Sequence, residues 1–226
     1  MKKYLSIICL AISSTCFGLS GHVGATLGGS TFLNQDAKNF YQNDKSWFTT
    51  FGAEAGFVSE CYCFGLDFAW HYFNPTGESV TDGLGDKSQY TYDIDSKLHV
   101  LSMFISTECD IGCGSIFRLG IGPALGYNKL NYTPKLVQSN NNTPNPNPTD
   151  VTKWTWGFSA KACLHFECGC FYLGPYAQYT WLRFDFKQGD LTASIKTDAI
   201  KSAENFLLKA ANCDHFTLGA ELGMYF

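Results

Sequence analysis

The stretch YCFGLDFAWHYF, residues 62–73, decides the fold. Its even positions are Tyr62, Phe64, Leu66, Phe68, Trp70 and Tyr72; its odd positions are Cys63, Gly65, Asp67, Ala69, His71 and Phe73. One face is wholly apolar, and the other is small or polar. A period of two marks a β-strand whose faces meet different surroundings.

The alternation recurs along the chain. In residues 47–57 the odd face carries Trp47, Phe51 and Phe57, and Glu54 sits opposite. In residues 117–127 the odd face is apolar, while the even face runs from Arg118 into Gly120, Gly122, Ala124 and Gly126. In residues 154–166 the even face holds Trp154, Trp156 and Phe158, opposite Lys161, Cys163 and His165. The chain ends in the same way over 216–226, with Glu221 opposite the apolar set. Three less regular segments, 21–33, 89–107 and 171–186, complete eight expected strands. The second changes parity near Val100 and Leu101, which reads as a bulge, and the third loses parity at Arg183.

Long polar connections, 34–46, 74–88, 128–152 and 187–213, alternate with short turns at 60–61, 109–114 and 167–169. Long and short connections therefore lie at opposite ends of the strands. SNNNTPNPNPTD (139–150) has the composition of a surface loop, and 197–211 suits a short helix.

Eight up-and-down strands fit a soluble barrel with its apolar face inward, or a membrane barrel with that face outward. The tryptophans favour the second. Trp47, Trp70, Trp154, Trp156 and Trp181 all fall on the apolar face, near the long connections. Such a girdle at one height suits a lipid–water interface. Phe64, Phe117, Phe166, Phe171 and Tyr62 form a candidate second girdle near the short turns. A sheet edge in hydrocarbon leaves amides unpaired, so the sheet must close. The fold class expected is all-β: a closed antiparallel up-and-down transmembrane barrel of about eight strands.

The flanking features agree. Lys2 and Lys3, an apolar run over residues 4–12, and small residues at Gly18, Ser20 and Gly21 read as a signal peptide over 1–20, with the barrel domain over 21–226. Charged residues make up only 16% of the chain, matched by 16% aromatic residues. A net charge of −4 removes the electrostatic footprint of a nucleic-acid binder. No stretch beyond the N-terminus is apolar for long enough to be a membrane-spanning helix.

Inside such a barrel, Glu54, Asp67, Arg118, Lys161 and Glu221 must pair, because an unpaired buried charge is very costly. They are expected to form a salt-bridged plug; a gate or narrow ion path is the functional alternative. The cysteines at the short turns, Cys61, Cys63, Cys109, Cys113, Cys168 and Cys170, are the disulfide candidates of an exported protein. Bonds inside a Cys-x-Cys are strained, since extended alpha carbons lie nearly ~7 Å apart. Bonds between turns or to other molecules fit better, though Cys109 and Cys113 could close their own loop. Cys163, His165, Cys168 and Cys170 offer zinc-type ligands, but metal is the minor reading, and no metal or cofactor is expected. Cys213 stands apart, either free or intermolecular. His71 with Asp67, His99 with Ser102, and Asp214 with His215 make no recognisable catalytic set, so no enzyme is expected.

The signal peptide, alternating strands, unequal connections and terminal Phe226 resemble the eight-stranded outer-membrane barrels of the OmpA/OmpX type. The terminal FTLGAELGMYF (216–226) resembles the signal by which the barrel-assembly machinery recognises such proteins. The paired cysteines are similar to those of cysteine-rich envelope proteins of intracellular bacteria. The resemblance implies a bacterial outer-membrane location in contact with lipid, short periplasmic turns and long extracellular loops. It also implies an envelope-stabilising, surface-exposed and adhesin-like role, with crosslinks to other cysteine-rich envelope proteins. A narrow porin-like channel is the alternative.

Overall fold

The computed structural model describes residues 19–41, 47–59, 64–81, 89–138, 149–187, 208 and 211–226. Residues 1–18 of the expected signal peptide, most of the 139–150 loop and most of the expected 197–211 helix lie outside the described residues, as do Cys61, Tyr62 and Cys63, whereas Leu19 and Ser20 begin the first strand.

The elements follow in order as β1 (Leu19–Phe32), α1 (Gln35–Tyr41), β2 (Phe48–Ser59), β3 (Phe64–Phe73), β4 (Thr76–Thr81), β5 (Gln89–Gly112), β6 (Ser115–Gln138), β7 (Thr149–Cys168), β8 (Phe171–Leu182) and β9 (His215–Tyr225). All pairings are antiparallel. β3 pairs with β5 over 98–107, and β4 continues the same edge over 90–95. The two are therefore one stave interrupted at Asn74–Pro75, and the sheet closes as an eight-staved, up-and-down barrel.

The closing seam joins β1 to β9 from His22↔Tyr225 to Phe32↔His215. Gly21 and the terminal Phe226 exchange backbone hydrogen bonds of 2.9 and 2.8 Å. Both ends of the ordered barrel thus sit at the short-turn end. The β7–β8 turn holds Gly169 at φ +65, a conformation that suits glycine. In the β5–β6 turn Gly112, Cys113 and Gly114 all have positive φ.

The outward face is greasy. Phe64, Leu66, Phe68 and Trp70 of β3 are exposed, as are Leu101, Met103 and Ile105 of β5 and Phe117, Leu119 and Ile121 of β6. From Phe64 to Tyr72 is about 26 Å of strand at ~3.3 Å per residue. With a tilt of about 40°, this gives a belt about 20 Å tall, near the ~25 Å band of membrane barrels.

Two expectations about strand faces need correction. Parity on β5 does not change at Val100: Leu98, Val100, Ser102, Phe104 and Ser106 are all buried, while Leu101, Met103 and Ile105 are all exposed. The register shifts of the β5–β6 ladder lie instead at Gln89/Tyr90 and Asp110/Gly112. The apparent bulge is a set of apolar side chains entering the barrel. Likewise Leu182, Phe184 and Phe186 continue inward beyond Trp181, while Arg183 and Asp185 point out. The connections 74–88 and 128–152 are also not plain loops. β4, the upper ends of β5 and β6, and the start of β7 carry the sheet beyond the belt.

The 34–46 connection holds α1, whose N-terminus is capped by Asn34. The Asn34 Oδ1 accepts from the backbone N–H groups of Asp36 (2.8 Å) and Ala37 (3.2 Å). The helix buries Ala37, Phe40 and Tyr41.

Candidate functional site

The lumen is filled in three layers, built from the inward residues of all eight staves. Nearest the short turns is a charged layer. Lys161 of β7 lies between Glu54 of β2 and Glu221 of β9, bonded to Glu54 and 2.6 Å from the second Glu221 oxygen. Tyr172 donates to Glu54 across 3.3 Å, and the Lys161 ammonium lies 5.3 Å from the Tyr176 ring centre. Arg118 of β6 lies 3.5 Å from Asp67 and is bonded to Glu108. It also donates to His22 Nε2 across 2.9 Å. All five charges singled out in the sequence are therefore together inside the barrel.

Two titratable partners, Glu108 and His22, escape the sequence reading. Glu108 falls between the expected strand (89–107) and the expected turn (109–114), although its even parity on β5 places it inward. His22 lies on β1, whose glycine-rich alternation is weak. His165 is legible as a lumen residue, but its contact with Glu221, at 3.1 Å, is not.

Above the charges is a layer of hydroxyls and amides. Ser102 donates to Ser159 at 3.0 Å, and Ser159 is linked to Thr180 at 3.0 Å. Ser30 bridges Thr50 (2.5 Å) and Thr217 (2.6 Å). These are short, neutral groups that can satisfy one another in a narrow space.

The third layer, at the long-loop end, is apolar. Phe32, Phe40, Tyr41, Phe48, Phe73, Leu98, Leu130, Leu182, Phe184 and Cys213 form one buried cluster. The rings of Phe32 and Tyr41 stack at 5.0 Å, and those of Phe40 and Tyr41 meet edge-on at 4.7 Å. Asn128 donates to the Tyr41 hydroxyl at 3.1 Å. Burial pushes the Cys213 thiol up to about 12 and the Tyr41 hydroxyl well above its ordinary value. Of the two readings of Cys213, free or intermolecular, its complete burial opposes the intermolecular one.

The staves therefore change polarity along their length. Within the belt the apolar face looks out. Above the tryptophans it looks in, as it does in a soluble protein. The five tryptophans mark the change, and every one is exposed, from 36% for Trp70 to 73% for Trp156. Phe64, Phe117, Phe166 and Phe171 are exposed near the other end. Between Trp70 and Trp154 the outer wall forms a groove of about 500 Å³, floored by His99, Leu101, Leu125 and Tyr127.

Among the charges, the void bordered by Glu54, Asp67, Phe104, Arg118, Lys161 and Cys163 is about 10 Å³, room for roughly one water. Gly120 lets the stave close on Phe104, since a Cβ there would stand 3.0 Å from the Phe104 Cβ.

The other sequence candidates are scattered. His71 is buried and stacks on Tyr176 at 6.0 Å, whereas His99 faces outward against Tyr72 at 4.8 Å. His215 bonds its own chain at the Cys213 carbonyl, 3.0 Å away. Cys109, Cys113, Cys168 and Cys170 are exposed thiols on two adjacent turns. The turns are tied by the Glu167 N–H to Gly114 carbonyl bond of 2.7 Å.

No family model and no curated protein matches the chain in sequence. Solved structures do match in shape. The Neisserial surface protein A (NspA) superposes with a TM-score of 0.51 at 11% identity, covering 92% of this chain and 97% of that one. A major outer membrane protein from Thermus thermophilus gives a TM-score of 0.54 at 9% identity, covering 92% and 99%. The fold is that of a bacterial outer-membrane β-barrel. In that fold the aromatic belt is the lipid-contacting wall, the short turns are periplasmic, and the long connections are extracellular.

Proposed function

We propose that this outer-membrane barrel transports nothing, and that it acts at its two ends. The observation that carries this reading is the double closure of the lumen. Buried ion pairs fill the periplasmic half, and an apolar, aromatic-rich cluster under α1 fills the extracellular mouth. A conducting pore needs a continuous open polar path; the apolar layer interrupts its polarity, and the ion-paired layer leaves a void of only about 10 Å³.

At the periplasmic end, the exposed cysteines of the β5–β6 and β7–β8 turns form disulfides with neighbouring cysteine-rich envelope proteins. Their exposure on adjacent turns, in an oxidising compartment, supports this. At the outer end, β4 to β7 carry a sheet beyond the belt. That sheet supports a surface-contact role of the adhesin kind. Assembly uses the C-terminal Phe226 as the recognition residue.

Two measurements on one preparation test the reading. Envelopes run on non-reducing gels should show the protein in high-mass adducts that dithiothreitol collapses to the monomer. The same protein in planar bilayers should give no steady channel. A monomer without reductant, or a stable conductance altered in Lys161→Gln, contradicts it.

A further inference from the structure

Within the charged layer, three side chains of zinc-binding chemistry converge. The Cys163 thiol, a ring nitrogen of His165 and a carboxylate oxygen of Glu221 all lie within 4.8 Å of one another, and all three residues are buried. The topology explains the meeting. Cys163 and His165 are two apart on β7 and share its inward face. Glu221 comes from β9, and on the intervening β8 the position paired with Glu221 is Gly174, which has no side chain to separate them.

We propose that Cys163, His165 and Glu221 bind a zinc ion inside the barrel. A thiolate, an imidazole and a carboxylate suit Zn²⁺, whereas Mg²⁺ and Ca²⁺ take all-oxygen sets. A tetrahedral ion needs its ligand atoms about 3.3–3.8 Å apart, so the widest pair closes by about 1 Å. The hydrogen bonds already present orient the set. His165 Nδ1 lies 3.1 Å from the Tyr225 hydroxyl, which turns Nε2, 3.1 Å from Glu221, toward the ion. The other Glu221 oxygen accepts from Lys161 at 2.6 Å, leaving the first for the metal.

Charge balance is an independent argument. Among the described residues, the layer holds Glu54, Asp67, Glu108 and Glu221 against Lys161 and Arg118, four acidic groups to two basic ones. Binding releases the Cys163 proton, so five negative groups then face Lys161, Arg118 and the divalent ion, and the net charge of the layer falls from −2 to −1 in a place where uncompensated charge is costly. The turn cysteines Cys168 and Cys170 are exposed and take no part.

The test uses the whole barrel, refolded into detergent with Zn²⁺ and passed through metal-free buffer. Elemental analysis should find about one zinc per chain. A variant with Cys61, Cys63, Cys109, Cys113, Cys168 and Cys170 all changed to serine should keep it, and Cys163→Ala should lose it. Co²⁺ in place of Zn²⁺ should give a thiolate-to-metal absorption band that follows the same division. Heat-modifiable gel migration checks that each variant is folded. Should Cys163→Ala not fold, the unaltered barrel still decides, because a chelator should lower its unfolding temperature and Zn²⁺ restore it. A zinc-loaded barrel that comes out metal-free overturns the proposal. So does zinc that is lost with the turn cysteines and kept in Cys163→Ala.

Discussion

Lys161 is a buried cation, with a side chain only 7% exposed. Its ammonium lies between two carboxylates from staves far apart in sequence, Glu54 and Glu221. Removing one partner of a buried ion pair typically costs about 3–5 kcal/mol, because the remaining charge stays buried. Lys161→Met should therefore lower stability by about that amount in urea titrations followed by gel migration. Lys161→Met combined with Glu54→Gln should recover part of the loss. A neutral single substitution would mean that the network is already compensated elsewhere. At this scale the sequence is legible where parity is clean. Glu54, Asp67, Arg118, Lys161 and Glu221 all stand on well-alternating strands. Glu108 is hidden because the cysteine beside it suggests a turn. His22 is hidden because a strand of small residues alternates too weakly to show its faces.

The strands themselves change environment, and that decides which elements can be read. Within the belt, apolar means outward. Beyond the tryptophans it means inward, so Leu98, Val100, Phe184 and Phe186 mimic lost parity when only the solvent has changed. The helix α1 is invisible in the sequence because seven residues show barely two turns of periodicity. It nonetheless completes the extracellular cap, and Cys213 reports on it. A thiol held at about 12 has little thiolate at pH 8, and here it also has no exposed surface. With the turn cysteines changed to serine, Cys213 should resist maleimide at pH 8 in the folded barrel and react fully once unfolded. Phe40→Ala opens the cap beside it and should raise the labelling rate at least tenfold, for a local loss of about 3–5 kcal/mol. Rapid labelling of the folded parent would contradict a closed cap.

At the scale of the molecule, two solvents shape one sheet. Lipid selects the apolar face around the middle, water selects the polar face above it, and the lumen is left to side chains that satisfy one another. Alternation and connection lengths carry this architecture in the sequence. The layering inside does not show, because it depends on which staves end up opposite one another after closure. The orientation of the belt is tested most directly by tryptophan fluorescence in vesicles whose lipids carry bromine at shallow or deep acyl positions. Trp47, Trp70, Trp154, Trp156 and Trp181 all point outward at one edge of the belt. The fluorescence should fall strongly with shallow bromine and less with deep bromine. Emission unchanged by either lipid would place the indoles away from the acyl chains and contradict the account.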